Sequence, residues 1–142
     1  MKISLNNDLG ELRTAAEQID AFCESHDVPA DITYAVNLSV DELLTNTISY
    51  GYDDDEVHDL DLALRMDGDV MVIEITDDAR PFDPSQNTTP DTSAGIDERS
   101  IGGLGIFLVH ELMDEVQYSR SGERNIVTLR KRANADDRSV VA

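Results

Sequence analysis

Glu42-Leu43-Leu44-Thr45-Asn46-Thr47-Ile48-Ser49-Tyr50-Gly51-Tyr52 reads as the last turns of an amphipathic helix and its stop. Glu42 and Asn46 stand four residues apart, so on a helix they share one face. Val36, Val40, Leu43, Leu44 and Ile48 supply the apolar side that anchors it. Gly51 falls where a glycine commonly ends a helix. A carboxylate beside a carboxamide suits a metal-phosphate site, yet a pair of this kind on a helix taken alone is more often a solvated face. What decides between the two is whatever the rest of the chain places opposite.

Before this helix, residues 2–6 alternate and predict a short strand at a sheet edge. Asn7 or Asp8 can cap a helix starting near Leu9, whose apolar positions run from Leu9 through Leu12, Ala15, Ala16 and Ile19 to Phe22 and Cys23. The stretch Ser25-His26-Asp27-Val28-Pro29 breaks it, with His26 read as a solvated loop residue, and Asp31 introduces the helix of Glu42 and Asn46. After Gly51, Asp53-Asp54-Asp55-Glu56 reads as a solvated acidic turn. It lacks the spaced ligands, central glycine and distal glutamate of a calcium loop. Residues 57–77 predict an antiparallel hairpin turning at Asp67-Gly68-Asp69. From Ala79 to Gly103 the pattern dissolves into a long loop holding Pro81, Pro84 and Pro90; loops of this length are usually functional or disordered. Gly102-Gly103-Leu104-Gly105 closes it and opens a short apolar helix, in which His110 is read as a packing or surface residue. Two strands follow, over 114–121 and 125–131, joined at Gly122-Glu123. Residues 1–132 are read as one domain and 133–142 as a mobile tail. The order β-α-α-β-β-loop-α-β-β predicts an α+β two-layer sandwich: a mixed, mostly antiparallel sheet with helices on one face.

Composition limits the partners. The chain has 142 residues, 11 basic and 30 acidic, for a net charge of -19. That balance disfavours bare nucleic acid and anionic membrane surfaces. A polyanion such as ATP would have to be held locally, by backbone N–H groups, a metal ion and a few arginines. One cysteine, Cys23, excludes an intrachain disulfide and a thiolate cluster. No segment approaches the length of a membrane span and no leader is evident, so a soluble cytoplasmic protein is expected.

Two further segments could converge on Glu42 and Asn46. Asp77, in Asp77-Asp78-Ala79-Arg80-Pro81-Phe82-Asp83-Pro84, stands at a strand end and could accept from an exocyclic amine such as that of adenine. It could equally start the loop as an Asx-turn. The glycines of 102–105 could let backbone N–H groups approach phosphate at a helix start, or serve as a hinge. They match neither a P-loop, since no Lys-Ser/Thr follows, nor a dinucleotide fingerprint, since no strand precedes them.

Together these segments resemble the ATP-binding domain of the GHKL superfamily, the Bergerat fold. Glu42-Leu43-Leu44-Thr45-Asn46 is similar to its N box, Asp77-Asp78-Ala79-Arg80-Pro81 to its first glycine box, and Gly103-Leu104-Gly105 to its second. Within the superfamily the chain most resembles the RsbW-like anti-sigma-factor serine/threonine kinases. The features are its small size, Tyr50-Gly51-Tyr52, Pro81-Phe82-Asp83-Pro84, Glu98-Arg99-Ser100 and Met113-Asp114. The resemblance implies a kinase using ATP and Mg2+, with Asn46 as metal ligand and Glu42 as the base for a substrate serine or threonine. It implies Asp77 at the adenine amine, Gly103 and Gly105 with backbone N–H groups at the phosphates, Arg99 near the γ-phosphate, and Ala79, Pro81, Gly102 and Leu104 among the nucleotide-binding residues. The implied partners are an anti-anti-sigma (STAS-type) substrate, a sigma factor and a second copy of the chain in a homodimer.

The sequence departs from the family pattern at three places. Ala79 and Pro81 replace glycines, and Arg124-Asn125 stands where a Gly-Thr is common. Other implied readings are a nucleotide-dependent binder without transfer, or an isolated histidine-kinase ATP-binding domain; the latter would need a phosphoacceptor helix not seen in this sequence.

Overall fold

The computed structural model describes residues 1–85 and 98–133, with side chains from Gly105 onward in the second segment. The elements run β1 (Lys2–Asn6), α1 (Glu11–Ser25), α2 (Ala30–Tyr50), β2 (Asp59–Asp67), β3 (Val70–Asp77), α3 (Glu98–Leu112), β4 (Glu115–Ser121) and β5 (Arg124–Arg132). The strands form one sheet in the order β1-β2-β3-β5-β4, and every pairing is antiparallel. The expected two-layer α+β architecture is present.

Alternation sets the layers. Leu60, Leu62 and Leu64 of β2, Met71, Ile73 and Ile75 of β3, and Val127 and Leu129 of β5 point to one side, because successive strand residues face opposite ways. They form a single core with Ala15, Ile19, Phe22 and Cys23 of α1, Val36, Val40, Leu43 and Leu44 of α2, and Ile106 and Val109 of α3. The helices therefore cover one face of the sheet. Both hairpins turn where glycine permits a left-handed backbone: Gly68 and Gly122 each have φ of 62°.

The end of α1 has a sharper cause than its sequence suggests. Asp27 takes φ of 55°, the Val28 N–H bonds the Cys23 carbonyl at 2.9 Å, and the Asp27 N–H bonds that of Glu24 at 3.3 Å. This is a Schellman stop, with Asp in the position that glycine usually fills and Val28 packing back on the core. At the other end α1 begins at Glu11, two residues past the expected start. Asp8 accepts from the Gly10 N–H at 2.8 Å and makes an Asx-turn rather than a cap.

One expectation needs correction. α3 begins at Glu98, so Gly102, Gly103, Leu104 and Gly105 lie inside the helix instead of opening it. Glu98 suits a helix N-terminus, and packing of α3 on α2 compensates the poor helix propensity of the glycines. Ala133, just past β5, is buried, and its N–H donates to the Asp69 carbonyl at 2.7 Å. The rest of the expected tail and loop, 134–142 and 86–97, lies outside the described residues.

Candidate nucleotide site

β3 ends where β5 begins, since the two are antiparallel neighbours. The register pairs Asp77 with Asn125. Both side chains are buried, at 3% and 4% exposure, in a sheet that otherwise buries apolar groups. Asn125 Nδ2 donates to Asp77 Oδ1 at 2.9 Å and lies 3.1 Å from the Ala79 carbonyl and 3.0 Å from that of Arg80. Asp77 Oδ1 also accepts from the Ala79 N–H at 3.0 Å, so the Asx-turn and the buried acceptor are one arrangement. On the other side, Asn125 Oδ1 accepts from the Tyr118 hydroxyl at 2.6 Å and from an Arg120 guanidinium N–H at 2.8 Å. Arg120 further reaches the Ala79 carbonyl at 3.3 Å.

Both bonds to Asp77 fall on Oδ1, and Oδ2 has no hydrogen-bond partner among the described residues. Burial pushes this carboxyl above its usual range, while the Asn125 and Ala79 donors pull it back.

α2 carries the second wall. Glu42 and Asn46 are half-buried on it, and neither side chain makes a hydrogen bond to another described residue. The Glu42 carboxylate lies directly against Gly105 of α3, where a side chain would collide with Oε2. Burial, and then the negative charge of Asp41, push Glu42 above the ordinary glutamate value. The Asn46 amide oxygen, a hard donor without a protein partner among the described residues, fits a magnesium ion that keeps most of its water and phosphate ligands, and leaves the Glu42 carboxylate free.

Gly51 joins α2 to the Asp77 loop. Its φ is -85°, so it does not act as a left-handed helix stop. A Cβ here would sit 2.5 Å from the Thr47 carbonyl oxygen and 2.8 Å from Ala79 Cβ. The Arg80 N–H bonds the Gly51 carbonyl at 3.0 Å. Close approach, not backbone freedom, requires the glycine, and Ala79 lies against it in the first glycine box.

The acidic turn is more ordered than its composition suggests. His58 Nε2 meets Asp54 at 2.8 Å, and Nδ1 meets Asp78 at 3.1 Å. The Tyr52 ring stacks on the imidazole at 4.1 Å, and its hydroxyl donates to Asp78 at 3.2 Å. Hydrogen bonds to Asp54 and Asp78 raise the His58 pKa. The bond from His58 lowers that of Asp54. Burial would raise Asp78, but its bonds from His58 and Tyr52 win and lower it. Arg80 pairs with Asp53 at 2.5 Å. This cluster braces the segment next to Asp77.

The structure thus brings Glu42 to Gly105, and Asp77 and Ala79 to Asn125, with Gly51 at the end of α2 lying against Ala79. Pro81 is exposed beyond Arg80. Arg99, Gly102, Gly103 and Leu104 are placed only as residues of the first two turns of α3. His110, read as a packing or surface residue, approaches the Pro84 carbonyl at 2.7 Å through Nε2 and ties α3 to the loop after Asp77. Sequence reading did not find Tyr118, Arg120 or His58. The first two are legible in retrospect as i and i+2 on one face of β4, beside Asn125.

A five-stranded antiparallel sheet covered on one face by helices, with a buried strand-end aspartate and a glycine-bearing helix facing an α2 carboxylate, defines an ATP-binding domain of histidine-kinase type. The sequence profile of the histidine kinase-like ATPase domain matches residues 5–131, and the chain belongs to that family. Among curated proteins it is similar to the serine/threonine-protein kinase BtrW of Bordetella bronchiseptica, with 27% identity over 70% of each chain. It is 32% identical to the serine-protein kinase RsbW of Bacillus velezensis over 61% of this chain and 58% of that one. With the RsbW of Halalkalibacterium halodurans it shares 34% identity over 58% of this chain and 52% of the relative. The aligned region thus spans little more than half of each RsbW. The fold matches the RsbU and RsbW domains of Rv1364c from Mycobacterium tuberculosis with a TM-score of 0.63, at 16% identity over 93% of this chain and 32% of that one. A histidine kinase domain from Erythrobacter litoralis matches with a TM-score of 0.56, at 19% identity over 94% of this chain and 64% of that one. Among the described residues, no helix is long and apolar enough to cross a membrane.

Proposed function

We propose that this chain is an ATP-dependent protein serine/threonine kinase of a partner-switching system. It phosphorylates an anti-anti-sigma protein of STAS type and sequesters a sigma factor, as a cytoplasmic homodimer. The observation that carries the reading is Glu42: a half-buried carboxylate with a raised pKa, set against the glycine of α3 and bonded to no other described residue. A protein that only binds nucleotide has no use for a base in that place. The similarity to RsbW and BtrW serine kinases supports the substrate class.

In this reading Asp77 takes the adenine amine, with Ala79 and Pro81 lining the base. Asn46, through its amide oxygen, holds a magnesium ion, whose charge would offset that of the phosphates. Glu42 takes the proton of the attacking serine or threonine hydroxyl. The Oγ–phosphorus bond forms as the bond from the γ-phosphorus to the leaving ADP oxygen breaks. Arg99 offsets charge on the γ-phosphate. Backbone N–H groups of Gly102, Gly103, Leu104 and Gly105 meet the phosphates. Past the first four residues of a helix the N–H groups are already paired within it, so this contact requires the first turns of α3 to open. Glycine makes that opening cheap, at about 1 kcal/mol per residue relative to alanine.

The test is incubation with labelled ATP, magnesium and candidate antagonist proteins. Label on a serine or threonine of one antagonist is expected. ATP binding without transfer to any of them would refute the kinase reading and leave a nucleotide-dependent binder.

A further inference from the structure

We infer that Asn125 is the positioning residue that fixes Asp77 for base selection, and that it acts without touching the nucleotide. The inference rests on the ATP-binding reading above. A side-chain amide has two N–H donors and two acceptor lone pairs. Asn125 spends all four, with its two N–H groups shared among three acceptors. Nδ2 serves Asp77 Oδ1 and the carbonyls of Ala79 and Arg80, and Oδ1 takes the Tyr118 hydroxyl and the Arg120 guanidinium. The amide orientation is settled by this chemistry: acceptors alone surround Nδ2, and donors alone surround Oδ1. No capacity is left for a ligand.

The consequence falls on Asp77. One oxygen is clamped by Asn125 and the Ala79 N–H, while the other has no partner among the described residues. A carboxylate held in this way accepts one hydrogen bond in a fixed direction. It should favour a base carrying an exocyclic amine and repel one carrying a carbonyl there. Asn125 also ties the Ala79–Arg80 backbone to β4 and β5, so the wall beside the base moves with the sheet.

Titration of ATP and ITP into the full chain tests this, because ITP replaces the amine with a carbonyl. Wild type is expected to prefer ATP by about tenfold or more. Asn125→Asp keeps the size but sets a second carboxylate against Asp77. At about pH 8 the preference should collapse towards unity. Near pH 6 it should partly return, because a proton on the introduced carboxyl restores a donor to Asp77. The titratable groups around this point are Asp77 and Asp78 at the end of β3, Tyr118 and Arg120 on β4, and Tyr52 after α2. None of these sets a second carboxylate against Asp77 Oδ1 in wild type, where Asn125 holds that oxygen, so the recovery at low pH belongs to the variant. Arg120→Met removes one donor to Asn125 without entering the buried pair and should lower the preference less. Thermal melts confirm that each variant is folded.

An unchanged ATP-to-ITP ratio in Asn125→Asp at both pH values, or a loss of affinity for ATP and ITP alike, would overturn the inference. Failure of the underlying reading looks different: wild type itself would bind no ATP, or would bind ATP and ITP equally, and the inference would fall with it.

Discussion

Glu42 and Gly105 lie so close that a methyl group at position 105 would intrude on the Glu42 carboxylate, with Cδ at 3.3 Å and Cβ at 3.7 Å from the added carbon. The obstructing atom is the tip of a flexible side chain, which can swing aside. Gly105→Ala should therefore leave the fold intact and gain up to about 1 kcal/mol of helix propensity, while displacing the proposed base. Phosphoryl transfer should fall with melting temperature unchanged or raised. A variant with full activity would show that the Glu42 position does not matter.

In the proposed mechanism Glu42 serves chemistry and Asn46 serves binding, and the two roles can be separated. Glu42→Gln keeps the size and removes the proton acceptor, so transfer should drop by roughly 100- to 10,000-fold with ATP affinity retained. Asn46→Ala should instead remove the magnesium dependence of ATP binding. Titrations with and without magnesium separate the two, and unchanged magnesium dependence in Asn46→Ala would refute the metal assignment.

Gly51→Ala differs from the change at Gly105 because the obstruction includes backbone. The added carbon meets the Thr47 carbonyl oxygen at 2.5 Å and Ala79 Cβ at 2.8 Å. Neither can rotate away, so about 1–3 kcal/mol of stability should be lost, as for other overpacked sites. Urea unfolding measures it. A loss below about 0.5 kcal/mol would mean that the Asp77 loop shifts freely.

The His58 cluster gives stability a pH window. The His58 pKa is raised above 6.5, so its contribution is full below that value and fades as pH rises through the folded pKa. Asp54 and Asp78 are lowered from 3.8, so theirs is full above that value and fades as pH falls through the folded pKa. The window is therefore centred on mildly acidic pH. His58→Gln should destabilise more at about pH 5.5 than at about pH 8.5, read as the difference in melting temperature from wild type at each pH. Equal differences would show that the ion pairs contribute nothing.

Local physics made much of this protein legible. The hairpin turns at Gly68 and Gly122, the apolar stripes of α1 and α2, and the pairing of Glu42 with Asn46 on one face all depend on residues a few positions apart. Sequence alone determined the element order and hence the sheet-and-helix layers. The tertiary structure decided what depends on distant neighbours. α3 starts at Glu98 because packing on α2 outweighs the poor propensity of its glycines. Gly51 is needed for its approach to Ala79, a contact invisible in its own segment. Asn125 meets Asp77 because β5, last in the chain, inserts between β3 and β4. Burial then forces those two polar side chains to satisfy each other, and 48 residues of separation hide the pair from any local pattern.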